Sequence, residues 1–123
     1  MSGGTPSAIS AISNGLLYDR IGYVHRLQSR IDQAILCCEK ARSTNPAHQL
    51  YLAHLASAYA LKGETERAAA ELAEARRLTA DSRYSSIARL KGYPGAWSGV
   101  PKIRALFETT YFAGLRKAGM PEE

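Results

Sequence analysis

The stretch AYALKGETERAAAELAEARRL, residues 58–78, carries small side chains at close, regular intervals and is broken once, at Lys62-Gly63. Small side chains at a fixed spacing allow a neighbouring helix to pack closely. Gly63 suits the end of a helix, and Glu64 and Glu66 then fall in the first turn of a second helix, where the helix dipole favours acidic residues. The stretch therefore predicts two helices joined by a tight turn.

The same arrangement occurs a second time, 34 residues earlier in the chain. A shift by this period places large residues on large ones and small residues on small ones, which is typical of a repeated supersecondary unit. The matching pairs are Tyr18 and Leu52, Ile21 and Leu55, Gly22 and Ala56, His25 and Tyr59, Leu27 and Leu61, Ser29 and Gly63, Asp32 and Glu66, Ala34 and Ala68, Cys38 and Leu72, and Ala41 and Ala75. An alanine-rich solvated helix would explain the composition but not this register.

Each unit is predicted to be a helical hairpin, and Asn45-Pro46 separates the two units because a residue before proline disfavours helix. The predicted helices span 15–28 and 32–42 in the first unit, and 49–62 and 64–78 in the second. Paired helices should approach most closely at Gly22, Ala34, Ala56 and Ala68. Within one domain, we expect an N-terminal segment (1–14), a first repeat (15–48), a second repeat (49–82) and a C-terminal part (83–123).

These units resemble tetratricopeptide repeats (TPR), whose pattern runs from an aromatic residue through Leu-Gly and Tyr to Ala, an aromatic and Pro. The first unit matches it at Tyr18, Ile21, Gly22, Ala34, Ala41 and Pro46, and the second at Leu55, Ala56, Tyr59, Gly63, Ala68 and Ala75. His25, Cys38, Leu72 and Ala80 depart from it. The resemblance implies an all-α, TPR-like α-α superhelix with two full helix-turn-helix repeats plus capping and C-terminal helices.

The segments that flank the repeats have helical patterns of their own. Thr5-Pro6 is typical of a helix start, and the apolar segment after it either runs into the first repeat helix or breaks at Asn14-Gly15. Residues 82–91 predict a short capping helix with Ile87 and Leu90 turned inward. Residues 92–101 predict a loop that is rich in glycine and proline.

A C-terminal helix is predicted after this loop, and we expect it to fold back on the repeats. Its apolar face comprises Ile103, Leu106, Phe107, Thr110, Tyr111 and Leu115. The tail GLRKAGMPEE (114–123) and the segment SSIARL (85–90) also resemble the C-terminal ends of bacterial proteins in which TPR repeats follow a class III adenylate/guanylate cyclase domain. This likeness implies a sensor or docking tail of a bacterial signalling protein.

Composition indicates a soluble, cytoplasmic protein without a membrane segment. The chain lacks an apolar run near the roughly 20 residues that a membrane span needs, and its N-terminus does not have the pattern of a secretory signal. The adjacent Cys37 and Cys38 point in different directions on a helix, so we expect reduced thiols. The net charge of +5, from 16 Lys and Arg against 11 Asp and Glu, is scattered along the chain. Nucleic acid is therefore an unlikely partner.

The sequence offers no convincing catalytic, cofactor or metal site, and we expect the protein not to be an enzyme. His25, His48 and His54 lack the spacing of a helical zinc pair. Trp97 is predicted to plug the end of the core. A basic region, formed by Arg76, Arg77, Arg83, Arg89 and Lys91, is best explained as a solvated face that complements helix C-termini, although an anionic partner is an alternative.

The resemblance instead implies a concave groove, lined by the first helix of each repeat, that binds a peptide or a helix. The implied contact residues are Leu16, Asp19, Tyr23, Arg26, Leu50, Ala53, Ser57, Ala60, Tyr84 and Ile87. They do not match the carboxylate clamp of chaperone-binding repeats, so an apolar or amphipathic segment is favoured. The alternatives are a regulatory fragment that docks to a cyclase-type enzyme and, less favoured, an anion or nucleic-acid binder.

Two repeats are fewer than the three that such arrays usually need for stability. Additional surface must therefore be buried. Either the terminal segments cover the repeats within one chain, or the end of the array pairs with a second copy in a homodimer.

Overall fold

The structure, a computed structural model, describes the backbone of residues 8–123 and the side chains of residues 14–123. Within this part the chain is all-helical, with helices packed on one another and no strand. The α-helices are α1 (Ala8–Leu27), α2 (Ile31–Thr44), α3 (Gln49–Lys62), α4 (Thr65–Leu78), α5 (Ile87–Lys91), α6 (Pro101–Phe107) and α7 (Ala113–Lys117). Short 3-10 turns occupy Arg83–Ser85 and Ala96–Ser98, and a π-helical turn, Glu108–Phe112, joins α6 to α7.

Helix α1 passes through Asn14 and Gly15 without a break, so the apolar N-terminal segment runs into the first repeat helix. Of the two alternatives that the sequence left open, the structure has the continuous helix. The predicted helix start at Thr5-Pro6 lies outside the described residues.

The turns inside the two hairpins have the same backbone geometry, 34 residues apart. Ser29 has φ 60° and Gly63 has φ 96°, both in the left-handed region. The amide of Ser29 donates to the carbonyl of Arg26 at 3.0 Å, and the amide of Gly63 donates to that of Ala60 at 3.0 Å. The alignment of Ser29 with Gly63 is therefore reproduced in the backbone itself.

The small residues lie where the helices of each hairpin cross. Ala34, Ala56 and Ala68 are fully buried. A Cβ atom added to Gly22 on α1 would lie 3.0 Å from the sulfur of Cys38 and 3.2 Å from the carbonyl oxygen of Ala34 on α2. Little more than a hydrogen atom fits at Gly22, which confirms the close approach that the spacing predicts.

Polar contacts join the two hairpins around a shared core. The hydroxyl of Tyr59 on α3 donates to Glu39 on α2 at 2.5 Å, and Arg42 on α2 pairs with Glu71 on α4. Cys38 is buried against the same core, and burial raises the pKa of its thiol to about 12. Both cysteines are free thiols.

The capping segment is held by the end of the chain. Ile87 and Leu90 are buried, as predicted. The side chain of Ser86 caps the start of α5 by accepting from the amide of Arg89. The amide of Ile87 donates to the carbonyl of Pro121 at 2.8 Å, so the last residues of the chain run alongside the cap.

The C-terminal helix (residues 101–117, comprising α6, the π-helical turn and α7) packs on α3. Phe107, Tyr111 and Leu115 are buried, as expected. Leu106 is 40% exposed, so its predicted place on the buried face is wrong, and Phe112 is buried instead. The extra residue per turn of the π-helical turn accounts for the inward position of Phe112, whereas Leu106 precedes this turn.

None of the helices in the described part of the chain combines the length and the apolar character that crossing a membrane requires.

Candidate functional site

A cavity of about 340 Å³ lies between α1, α3, the capping segment and the C-terminal helix. The loop after α5 closes one of its sides. Its walls are mainly aromatic, formed by Tyr23, Tyr84, Tyr93, Trp97, Phe107 and Tyr111. A concave, largely apolar pocket with a few polar groups is the usual form of a ligand site.

The aromatic wall is built around Phe107. Its ring centroid lies 5.4 Å from that of Tyr23, 5.8 Å from that of Trp97 and 6.1 Å from that of Tyr111, at angles between 57° and 81°. Tilted and edge-to-face contacts at these distances are the favoured geometries for aromatic pairs. Trp97 is only partly buried, and it packs on the core in the covering position that the sequence predicts.

A buried pair of polar side chains forms one end of the cavity. Nδ1 of His54 on α3 lies 2.8 Å from Oδ1 of Asp19 on α1. Asp19 is 1% exposed and His54 is 7% exposed. Because an ionised carboxylate only accepts hydrogen bonds, Nδ1 carries the proton.

Burial lowers the pKa of His54 below its ordinary value of 6.5, although Asp19 opposes this shift. The ring is therefore neutral at pH 7, and Nε2 keeps a lone pair that accepts hydrogen bonds. No side chain in the described part of the chain donates to Nε2.

The rim of the cavity carries positive charge. Arg20 is exposed and has no carboxylate partner among residues 14–123. Arg83 pairs with Asp81 at 3.0 Å and lies over the ring of Tyr93, with its guanidinium carbon 4.2 Å from the ring centroid. Arg20 is thus the rim cation that remains available to an acidic ligand.

Arg26, which the sequence placed in the groove, is completely buried. Its guanidinium carbon lies 4.6 Å from the ring centroid of Tyr111 and 5.6 Å from that of Tyr23. Burial lowers the pKa of Arg26. None of its three guanidinium nitrogens has a hydrogen-bond partner among the described residues.

The predicted contact residues separate into groups in the structure. Asp19, Tyr23, Leu50 and Tyr84 line the cavity. Arg26, Ala53, Ser57, Ala60 and Ile87 are buried, and Leu16 is exposed away from the cavity lining.

The face of α3 that the resemblance assigns to the groove is covered by the C-terminal helix of the same chain. The hydroxyl of Ser57 donates to the carbonyl of Tyr111 at 2.9 Å, and Gly114 is in contact with Ser57. Peptide binding by Ala53, Ser57 and Ala60 stays a prediction, and it requires the C-terminal helix to leave.

Sequence reasoning did not include His54, Tyr93, Phe107 and Tyr111 in the site. A signal for His54 was present, because it follows Leu50 by four residues and precedes Ser57 by three, and such neighbours share a helix face. The others come from the C-terminal part of the chain, whose position relative to α1 no local pattern specifies.

Most of the predicted basic region is compensated within the chain. Arg77 pairs with Glu74 at 2.6 Å, and Lys91 pairs with Glu108 at 2.7 Å. Arg76 donates to the carbonyl of Tyr84 at 2.8 Å. With Arg83 also paired, these side chains do not form an open cluster of the kind that holds phosphates.

Comparison of the chain with protein-family models, with curated proteins and with solved structures finds no match. The helical, repeat-like architecture and the cavity are therefore the observations from which a function is inferred.

Proposed function

We propose that this protein is a non-catalytic interaction module, built as a TPR-like superhelix, that binds a peptide or helix of a protein partner. One side chain of that partner is anchored in the aromatic cavity. The observation that carries this proposal is the cavity itself, which joins Asp19, Tyr23 and Leu50 of the predicted groove to aromatic residues of the C-terminal part. Aromatic side chains in such pockets supply much of the affinity at protein interfaces.

The C-terminal helix supports the second element of the proposal, the binding of helices. Its second half lies on α3 and buries Tyr111 and Leu115 there. The covered face is thus complementary to an amphipathic helix. A partner helix would extend beside this one, because exchange with it would remove Phe107 and Tyr111 from the cavity.

A non-catalytic role is supported by the chemistry of the cavity wall. Asp19 and His54 are arranged like the acid and base of a hydrolase, in which the carboxylate orients the imidazole. However, the described residues that line the cavity include no serine, threonine or cysteine. The usual nucleophile is missing beside the base, so the pair serves recognition better than catalysis.

The test is a selection of random displayed peptides on the purified full-length protein, followed by calorimetric titration of the enriched peptides. We expect Tyr23→Ala to weaken binding about tenfold or more, because truncation of an aromatic anchor contact typically costs over 1 kcal/mol. Leu36→Ala is the control, because Leu36 is an exposed leucine outside both the cavity and the predicted contact set, and this variant should bind like the wild type. Failure to enrich any peptide, or equal binding by Tyr23→Ala, would contradict the proposal.

Charge at the rim gives a second readout of the same proposal. Since Arg20 has no carboxylate partner among the described residues, selected peptides should carry an acidic residue next to the anchor. Arg20→Glu should then weaken binding and reverse its dependence on salt. The affinity of the wild type should fall as salt is added and that of the variant should rise, because salt screens both the attraction and the repulsion between exposed charges. Unchanged salt dependence in this variant would exclude Arg20 from the interface.

A homodimer through the exposed end of the array belongs to the same proposal. Leu17, Ile21 and Val24 of α1 are 56%, 39% and 48% exposed. The residues 34 positions later, Tyr51, Leu55 and Ala58, are buried within the chain. This contrast supports a partner surface on α1. Sedimentation at rising concentration should show association, and Leu17→Glu with Val24→Glu should abolish it.

Cytoplasmic placement and a signalling enzyme as partner complete the proposal. Free thiols at Cys37 and Cys38 support a reducing compartment. The resemblance of the tail to cyclase-linked repeat proteins supports a bacterial signalling enzyme as one class of partner.

A further inference from the structure

The polar atom on which this inference rests is Nε2 of His54, a side chain of the cavity lining. His54 is 7% exposed, and no described side chain donates to its Nε2. Nε2 is not among the described buried atoms that lack a partner, so water reaches it in the free protein, and a ligand that fills the cavity displaces this water. A ligand that brings a donor to this point gains that hydrogen bond.

We infer that the cavity takes a phenol ring, so that the partner is anchored by a tyrosine whose hydroxyl donates to Nε2 of His54. This inference rests on the proposed function and specifies the anchor of the same site. It specifies more than the shape of the anchor, since it makes the hydroxyl of the anchor the donor and Nε2 of His54 the acceptor.

Asp19 fixes that direction. Its carboxylate accepts the proton of Nδ1 at 2.8 Å, and it lies on α1, opposite to the helix that carries His54. The ring can therefore neither turn over nor change tautomer without breaking a buried charge-assisted hydrogen bond. Asp19 is a positioning residue, which keeps the lone pair of Nε2 in place.

The surroundings of His54 fit an aromatic ring that carries the hydroxyl. The ring of Tyr111 meets His54 edge-on with a centroid distance of 5.2 Å, and Tyr23 lies at 6.2 Å. A volume of about 340 Å³ is near the lower end of ligand pockets, which suits one small ring better than a large ligand. Aliphatic alcohols would supply the donor but would lose the edge-to-face contacts.

Discrimination between similar rings follows from the hydrogen bond. A phenylalanine anchor fills the same volume but leaves Nε2 without a donor, and a site built for a hydroxyl rejects the analogue that lacks it. A methylated phenol is rejected for a second reason, because its ether oxygen would place a lone pair against that of Nε2.

The experiment uses p-cresol, toluene and 4-methylanisole as probes of the full-length protein at pH 7, followed by NMR. These molecules correspond to the side chains of tyrosine, phenylalanine and a methylated tyrosine. We expect p-cresol to bind at least about tenfold more tightly than either of the others, since an unsatisfied buried acceptor carries a penalty of that order. The ¹⁵N resonance of His54 Nε2 should shift with p-cresol and not with toluene.

His54→Leu should remove the preference, so that p-cresol and toluene bind alike. If this variant does not fold, the comparison of the three probes on the wild-type protein still decides. Equal affinity of all three probes in the cavity would overturn the tyrosine anchor but leave an aromatic binding site. Failure of every probe to bind, together with failure of the peptide selection, would overturn both the anchor and the proposed function.

Discussion

The C-terminal helix crosses α3 at the point where Gly114 lies against Ser57. A Cβ atom added to Gly114 would lie 2.5 Å from the carbonyl oxygen of Ser57, and still closer to its hydroxyl oxygen. The same hydroxyl donates to the carbonyl of Tyr111, one turn earlier in the C-terminal helix. Through this contact the C-terminal helix covers the predicted groove face of α3, and Tyr111 lies beside His54.

We predict that Gly114→Ala destabilises the protein by about 1–3 kcal/mol, the usual cost of forcing extra volume into a packed interface. The backbone of α3 cannot yield as a flexible side chain would. Urea unfolding measures the change. Gly92→Ala is the control, because Gly92 is exposed and has the ordinary helical φ of −70°. Equal stability of both variants would show that the helices do not approach each other this closely.

Ser29 and Gly63 give a prediction from the repeat. Both have left-handed backbone, which glycine adopts without the steric cost that a Cβ atom adds. Ser29→Gly should therefore stabilise the protein by about 0.5–1 kcal/mol, and Gly63→Ala should destabilise it by about 1 kcal/mol. No atom lies within 4 Å of a Cβ at Gly63, so contacts do not obscure the backbone effect. Thermal unfolding checks both signs, and a destabilised Ser29→Gly would contradict the shared turn geometry.

Substitution of Arg26 should change the free energy of unfolding through the volume of the new side chain more than through its charge. Its buried guanidinium has aromatic neighbours but no hydrogen-bond partner among the described residues. Arg26→Met should keep or raise the free energy of unfolding, because a buried unpaired charge is costly and methionine fills a similar volume. Arg26→Ala should lower it by about 2 kcal/mol or more through the cavity left behind. Loss of stability in Arg26→Met to the same extent as in Arg26→Ala would reveal a strong polar partner.

Acid should destabilise the protein through His54. Its pKa is lower in the folded than in the unfolded chain, whose value is near 6.5. Protons therefore bind the unfolded state better. The stability is complete above pH 6.5 and falls as the pH drops through the unfolded-state value toward the folded-state pKa. The charged groups that face the ring are Asp19, Arg20 and Arg26. They change the size of the pKa shift of His54, but the pKa stays below its unfolded-state value.

Urea unfolding at about pH 7.5 and about pH 5 measures this effect. His54→Gln is the control, since its amide still donates to Asp19 but does not titrate. The wild type should lose more stability on acidification than this variant does. His25 and His48 are present in both proteins, so their contributions to the pH dependence cancel in the comparison. Parallel losses would mean that His54 does not carry the effect.

Local sequence patterns predicted the repeat helices well. The predicted helix 49–62 coincides with α3, and the predicted helix 64–78 differs from α4 by one residue at its start. Hydrogen bonds within a helix join residues four apart, so apolar spacing, glycine and proline suffice to indicate where helices lie. The small residues at the crossings followed from the same spacing.

The candidate site was only partly predictable, because it needs long-range proximity. Asp19, Tyr23 and Leu50 were predicted as groove residues and line the cavity. The bond between Asp19 and His54 joins residues 35 positions apart on two helices. No pattern within either helix encodes that pairing, although the 34-residue period indicated that their helices would be neighbours.

By itself, the sequence determined the helical class, the two hairpins and the small residues at their crossings, because these depend on the spacing of side chains along each helix. Only the tertiary structure decided that the C-terminal helix covers α3 and that Phe107 and Tyr111 complete the cavity around His54. An apolar helix face encodes that it must be buried, but its partner is chosen by the fit of surfaces that lie far apart in the chain.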